Sequence, residues 1–127
     1  IDAKDRERMG SCFTEDTLVV YHTGEAHEVR LAGRAALLAY LEKGTAWNGP
    51  STHALSNSVV LVDGDTATVG SFAIAHLVVA GKVHVRGLRY DDQVVRTGAG
   101  WQIRRRDHRA IWQYDAAEVP SRVPGRS

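Results

Sequence analysis

The sequence contains a single cysteine, Cys12, among its 127 residues. One thiol cannot form an intramolecular disulfide, so a hydrophobic core must hold the chain together, and a reducing compartment is expected. The most apolar stretch without Asp, Glu, Lys or Arg, residues 66–81, falls short of the ~18 apolar residues that a membrane span requires, and it includes a histidine. We therefore predict a cytoplasmic protein that does not insert into a membrane.

An excess of charge of one sign is also lacking, because 16 Lys and Arg residues are balanced by 15 Asp and Glu residues. The resulting net charge of +1 argues against nucleic acid or an anionic membrane surface as the partner. The one basic cluster, Arg104 to Arg106, lies among apolar residues without the aromatic spacing of a base-stacking surface. Nucleic acid is therefore not an expected partner.

Motifs that bind nucleotides or metals, or that present a nucleophile, are absent from the sequence. It contains no P-loop, no dinucleotide-binding fingerprint and no nucleophile elbow. No two of its six histidines have the i, i+4 spacing of helical metal ligands or the i, i+2 spacing of ligands on a strand. We predict that the protein uses neither a metal nor an organic cofactor.

The strongest pattern that is present is a long hairpin near the C-terminal end of the chain. β-Branched and aromatic residues recur through positions 83–96 and 101–112, and a turn with two glycines joins the two stretches. A second hairpin, 51–62 and 66–80, turns at Asp63-Gly64. We predict four long antiparallel strands in this part of the chain.

Helical patterns come earlier in the chain. Met9, Cys12 and Phe13 form an apolar stripe over 2–13, and Leu37, Leu38 and Leu41 form another over 33–44, where Gly44 suits the end of a helix. A short strand is predicted between them at 17–22. Helices followed by an antiparallel meander indicate an α+β fold. We predict one domain, 1–118, with a polar tail, 119–127.

The predicted strand 66–80 is apolar on both faces. Phe72, Ile74 and His76 alternate with Ala73 and Ala75. Such a strand is usually covered on both sides, here by helices within and by another subunit outside. We therefore expect a homo-oligomer that packs through the convex side of the sheet.

His53 is the first candidate for chemistry, because it lies on the apolar face of its strand. Desolvation lowers the pKa of an imidazole toward the range that suits a general base. The alternative is a core histidine that bonds to a main-chain carbonyl, and His76 admits the same two interpretations.

Two arginines of the long hairpin, Arg86 and Arg106, are candidates for stabilising an anion, the alternative being that both lie on the surface. Simple alternation places Ile103 on one face of its strand and Arg106 and His108 on the other. All three can therefore face one pocket only if a bulge intervenes.

Six segments follow one another along the chain as they do in SnoaL-like proteins of the nuclear transport factor two-like superfamily. They are Asp2-Ala3-Lys4-Asp5, Phe13-Thr14-Glu15-Asp16, Gly33-Arg34-Ala35-Ala36-Leu37, Ser51-Thr52-His53, Asp63-Gly64-Asp65-Thr66-Ala67 and Gly100-Trp101-Gln102-Ile103. The sequence resembles this family over nearly its whole length. The resemblance implies a cone-shaped α+β barrel, in which a curved, mostly antiparallel sheet wraps around N-terminal helices and leaves a deep pocket.

The sequence is most similar to the branch that holds scytalone dehydratase, bile-acid dehydratase and hexachlorocyclohexane dehydrochlorinase. That resemblance implies a catalytic dyad, in which Asp2 orients the imidazole of His53 and His53 removes a carbon-bound proton. His76 stands at the position of a second polar pocket residue, and Tyr21 lies near that of a pocket tyrosine. Arg106 falls where some members have an arginine, which would stabilise an anion.

The implied activity is that of a cofactor-independent lyase that removes water from a cyclic or polyketide-like small molecule. An isomerase or cyclase with the same dyad and a non-catalytic binding or oligomerisation module are the alternatives. The expected substrate-binding residues are Phe72, Ile74, Arg86, Leu88, Tyr90, His108 and Trp112. The same resemblance favours a trimer over a dimer.

Overall fold

The computed structural model describes residues 5–24, 26–45 and 49–119. Two helices and six strands follow one another in these segments. They are α1 (Arg6–Ser11), β1 (Phe13–Gly24), β2 (His27–Ala32), α2 (Arg34–Thr45), β3 (Ser51–Asp63), β4 (Thr66–Val79), β5 (Lys82–Thr97) and β6 (Gly100–Ala117). None of the helices in these segments is long and apolar enough to cross a membrane.

All six strands form one curved sheet in the order β2-β1-β6-β5-β4-β3. Every neighbouring pair is antiparallel except β1 and β6, which run parallel. The predicted α+β class with a mostly antiparallel sheet is confirmed. The sequence analysis missed β2 and the parallel pairing of β1 with β6, which joins residues far apart in the chain.

Helix α2 covers one face of the sheet, which we call the inner face. Gly33 immediately precedes it with a φ of +96°, a value that favours glycine, and its N–H donates to the carbonyl of Thr17 (2.7 Å). This turn brings Leu37 onto the sheet, where it is 1% exposed and packs with Phe13 and Val19. The predicted helix over 33–44 thus differs from α2 by one residue at each end.

The first helix is shorter than predicted. Asp5 caps it by accepting from the N–H of Arg8 (3.1 Å), and it ends at Ser11. Cys12 is exposed, and Phe13 already belongs to β1, so the predicted stripe of Met9, Cys12 and Phe13 does not form one helix face. Phe13 is buried because β1 turns it toward α2.

Two register shifts in the pairing of β5 with β6 change the phase of alternation along β6. Gln93 pairs with Arg105 and Val94 with Ile103, so Arg104 is left over as a bulge, and Ile111 is left over in the same way. As a result Ile103 packs beside the inner core cluster while Arg106, three residues later, lines the inner face as well. The structure thus contains the bulge that the sequence analysis required.

The faces of β4 are the reverse of those predicted. Ala73 and Ala75 are buried on the inner face, whereas Phe72, Ile74 and His76 are exposed on the opposite, outer face. Small side chains on the inner face leave space between the sheet and α2, because alanine projects only a methyl group. The larger apolar side chains of β4 therefore face outward.

Candidate active site

A cavity of about 360 Å³ lies between α2 and the inner face of the sheet, near the lower end of the range for small-molecule pockets. Its wall combines apolar, aromatic and ionisable side chains. The lining residues are Phe13, Val19, Tyr21, His22, Thr23, Leu37, Tyr40, Leu41, Gly44, His53, Leu77, Arg86, Tyr90, Arg106, His108, Ala110 and Gln113.

One row of paired residues, running across four strands, forms the polar end of this cavity. His53 of β3 pairs with Ala75 of β4, Ala75 with Arg86 of β5, and Arg86 with Gln113 of β6. Directly paired residues share a face of a sheet. His53, Arg86 and Gln113 therefore project into the same space, and the small Ala75 leaves that space open.

A second row supplies aromatic rings. Tyr21, His108 and Tyr90 lie side by side on β1, β6 and β5, with ring centroids 4.7 Å apart for Tyr21 and His108 and 5.3 Å for Tyr90 and His108. Tyr40 of α2 extends the series, 5.1 Å from Tyr21. These rings form a wall that excludes water and suits a flat ligand.

Burial shifts the pKa values of two of these side chains. It raises the pKa of the Tyr21 hydroxyl far above its usual range, with the neighbouring Tyr40 adding to the effect, so Tyr21 remains a proton donor. Burial, reinforced by Arg86 and Arg106, lowers the pKa of His108 from 6.5 to about 4. His108 is therefore neutral near pH 7 and a weak base.

Arg106 and Asp92 form a buried, two-pronged ion pair beneath the aromatic wall. Nε and Nη2 of Arg106 donate to the two carboxylate oxygens of Asp92 at 2.8 and 2.9 Å. Burial alone would lower the pKa of Arg106, but the hydrogen bonds and charge of Asp92 outweigh it and raise that pKa. The guanidinium also lies 4.4 Å from the Tyr90 ring centroid. Arg106 thus has a partner for its charge.

Arg86 differs, because its Nε atom is buried and has no hydrogen-bond partner among the residues that the structure describes. No carboxylate in segments 5–24, 26–45 and 49–119 forms an ion pair with it. A buried donor without a partner costs about 1–3 kcal/mol. Such a group requires an explanation, and an acceptor atom on a bound ligand would provide one.

The structure brings together six of the residues predicted for the site. They are His53, Tyr21, Arg106, Arg86, Tyr90 and His108. Leu88 does not line the cavity. It belongs to the buried cluster and packs beside two lining residues, Tyr90 and Ala110. Asp2 lies outside the described residues, so the dyad that it would form with His53 stays a prediction.

Four predicted site residues lie elsewhere, on the outer face. His76, Phe72 and Ile74 are exposed because Ala73 and Ala75 occupy the inner positions of β4. The ring of Trp112 covers Gly87 on the outer face, since a Cβ added to that glycine would meet the ring. The expectation that His76 opens into the cavity is corrected accordingly.

Sequence reasoning missed three residues near the site. Gln113 lies beyond the second bulge, so simple alternation did not place it, and nothing in the sequence marked Asp92 as the partner of Arg106. His22 touches the cavity, but its Nε2 lies 3.0 Å from Oδ1 of Asp107, on the outer face. Among the described histidines, cysteines, aspartates and glutamates, no group of three could hold a metal ion.

Comparison with known proteins shows the family of this chain. The family model of the SnoaL-like domain matches residues 1–107. The chain belongs to the SnoaL-like domain family. The predicted membership is therefore confirmed.

The SnoaL-like chain is also similar to individual proteins. Over 57 residues it is 47% identical to the uncharacterised protein Rv2910c of Mycobacterium tuberculosis, a match that spans 42% of this chain and 39% of that protein. A candidate scytalone dehydratase from Novosphingobium aromaticivorans is 24% identical, with a TM-score of 0.78 over 99% of this chain and 84% of that one. A hexachlorocyclohexane dehydrochlorinase (LinA) is 13% identical, with a TM-score of 0.76 over 98% and 84%. At these identities the two solved structures show the shared fold alone.

Proposed function

We propose that this SnoaL-like protein is a cofactor-independent lyase that removes water from a cyclic or polyketide-like small molecule. The position of His53 supports this proposal most: it is half-buried and opens into a cavity whose polar lining includes a proton donor, Tyr21, and a cation, Arg106. Proton abstraction requires a base, a means of stabilising the charge that develops and a donor for the leaving group. One cavity contains all three kinds of side chain.

In the proposed reaction, a ring nitrogen of His53 takes a proton from the carbon next to a substrate carbonyl. The electron pair of the broken C–H bond passes through an enolate and forms a carbon–carbon double bond. The bond between the β carbon and its hydroxyl then breaks. A guanidinium stabilises the enolate oxygen because the apolar wall excludes the water that would weaken the attraction.

Tyr21 is the proposed donor to the departing hydroxyl, because it lines the same cavity as His53 and is protonated near pH 7. The hydroxyl leaves as water, and the proton held by His53 returns to the Tyr21 oxygen, so that both side chains regain their starting states. Asp2 is proposed to fix the tautomer of His53 and to stabilise its imidazolium. The dehydratase and dehydrochlorinase among the structural relatives are named for eliminations, which supports the same class of reaction here.

An isomerase or cyclase of the same family is the second candidate. It would begin with the same proton abstraction by His53, and a protonated Tyr21 would serve equally well as a donor to an enolate oxygen. The two candidates differ in the fate of the intermediate. A lyase expels the hydroxyl, whereas an isomerase returns a proton to another carbon.

The test uses cyclic β-hydroxy ketones, with and without a carboxylate on the ring, in heavy water, with NMR to follow enone formation and deuterium uptake at the α carbon. The wild-type protein is expected to form the enone, and His53→Ala to lose turnover on the order of 10²–10⁴-fold. Asp2→Asn should lose less, because the imidazole survives without its orienting partner. Deuterium uptake without enone formation would identify the isomerase instead.

His76→Ala is the matched control, because His76 is exposed on the outer face of the neighbouring strand. It should turn over like the wild type. Full activity of His53→Ala would contradict the role of His53 as the base. Neither enone nor deuterium uptake with any of the ketones would favour a binding module over an enzyme.

A further inference from the structure

The charges that face the cavity do not cancel among the described residues. As far as the structure describes the chain, the lining includes two guanidinium groups, Arg86 and Arg106, and no carboxylate. Asp92, which is 7% exposed, engages both of its oxygens with Arg106. Among the described residues, Arg86 is therefore the cavity guanidinium without a carboxylate partner.

The surroundings of Arg86 restrict what can balance it. Gln113 is its direct neighbour on β6, and His53 lies two strands away in the same row. Arg86 also acts on the two rings of the aromatic row, since its charge lowers the pKa of His108 and opposes the rise in that of Tyr21. The guanidinium thus belongs to the cavity and is not turned toward the outer face.

The protein keeps Arg86 at a cost. Long aliphatic side chains would fill the same space without a buried, unpartnered N–H, and removal of such a group often stabilises a protein. A planar guanidinium binds a carboxylate through two parallel hydrogen bonds, and the amide of a glutamine can donate a third. This donor arrangement matches a carboxylate better than it matches a neutral carbonyl.

We propose that the natural ligand of the cavity is a small cyclic carboxylic acid, whose carboxylate binds Arg86 and Gln113 and whose ring lies along the aromatic wall toward His53. The proposal rests on the proposed function in using the same cavity, and it names the class of substrate. Arg106 then positions Tyr90 and Phe13 through its pair with Asp92. Arg86 determines specificity.

The test compares benzoate with benzamide, which have the same shape and differ in charge. Titration calorimetry and protein NMR with the wild-type protein should show benzoate binding at least ~10-fold more tightly than benzamide, the range typical of a partly buried charge-assisted pair. Arg86→Met should abolish this preference. Arg86→Lys, which keeps the charge and loses the planar fork, should retain part of it.

Arg89→Met is the matched control, because Arg89 lies three residues along β5 on the outer face and pairs with Asp91. It should retain the full preference for benzoate. Equal binding of the two probes, no binding of benzoate at ~10 mM, or a preference that survives in Arg86→Met would overturn the proposal.

Thermal unfolding without ligand provides a second, independent readout. Arg86→Met should raise the melting temperature by about 3 °C, because it removes a buried donor that lacks a partner. A purely structural arginine would lower that temperature on removal, which would contradict the proposal. Binding and unfolding are measured without turnover, so this proposal and the role of His53 as a base can fail separately.

Discussion

Two consecutive aspartates of β5 point to opposite faces of the sheet and pair with arginines in different surroundings. Asp91, on the outer face, accepts from Arg89 at 2.9 Å and from Arg109 at 3.3 Å, and all three side chains are accessible to water. Asp92, on the inner face, pairs with Arg106 away from water. Similar groups at similar distances therefore stabilise the fold by different amounts, because water screens the outer pairs.

The same contrast separates two hollows of similar size. A groove of about 330 Å³ on the outer face is bordered by Arg89 and Arg105, but Asp91 and Asp107 pair with these arginines. Burial alone would raise the pKa of Asp107, yet hydrogen bonds from Arg105 and His22 outweigh it and lower that pKa. The outer charges thus satisfy one another, whereas Arg86 of the inner cavity has no carboxylate partner among the described residues. This contrast supports the proposal that the inner hollow binds a ligand.

The largest difference between the faces is expected from removing one aspartate at a time. Asp92→Asn should lower the free energy of unfolding by about 3–5 kcal/mol, because it leaves the buried Arg106 without a counter-charge. Asp91→Asn should lower it by less than about 1 kcal/mol. Urea unfolding of both variants measures the difference, and equal losses would show that the two pairs are equally screened.

A smaller effect is expected from pH. The pKa of His108 is about 4 in the folded protein and near 6.5 in the unfolded chain, so the unfolded chain binds the proton first as pH falls. Above about pH 6.5 His108 is neutral in both states and does not lower the free energy of unfolding. As pH falls from about 6.5 to about 4, protonation of the unfolded chain lowers that free energy by up to about 3 kcal/mol. His108→Gln should show a correspondingly shallower decline over this range. A decline as steep as that of the wild type would place His108 in water.

The smallest change in the stability of the isolated protomer is expected from a substitution on the outer apolar surface. Ile74, Trp112 and Tyr114 are 42%, 45% and 57% exposed there, and we propose that they contact other copies in a homo-oligomer, most readily a trimer. Ile74→Lys should reduce the mass measured by light scattering to that of one protomer. It should barely change the stability of the dilute protein, since the side chain is already half exposed. A wild-type monomer at micromolar concentration would refute the interface.

Local sequence patterns were enough to predict the elements whose contacts are between residues close in the chain. The hairpins of β3 with β4 and of β5 with β6, and helix α2, depend on neighbouring residues, and all were predicted closely. Strand β2 was missed because its short run includes His27, Glu28 and Arg30, which read as a loop. The parallel pairing of β1 with β6 leaves no local signal.

The site shows where alternation stops being informative. Alternation correctly separated Ala75 from His76, but both faces of β4 are apolar, so the pattern could not indicate which face lies inside. The packing of α2 decides that question, and it depends on Leu37 meeting Phe13 and Val19. Alternation also could not predict that Gln113 faces the cavity, because the bulge at Ile111 decides which face of the sheet Gln113 lies on.

The parallel pairing of β1 with β6 also governs when the protein can fold during synthesis. The Thr17 hydroxyl donates to the carbonyl of Arg104 at 3.1 Å across 87 positions of the chain. At ~5–20 residues per second, a ribosome needs on the order of 10 s to add those residues. Through that interval β1 lacks its central neighbour, and Tyr21 meets His108 only once β6 has emerged. The candidate site is therefore among the last parts of the molecule to form, and until β6 emerges one edge of β1 has backbone N–H and C=O groups without their strand partner.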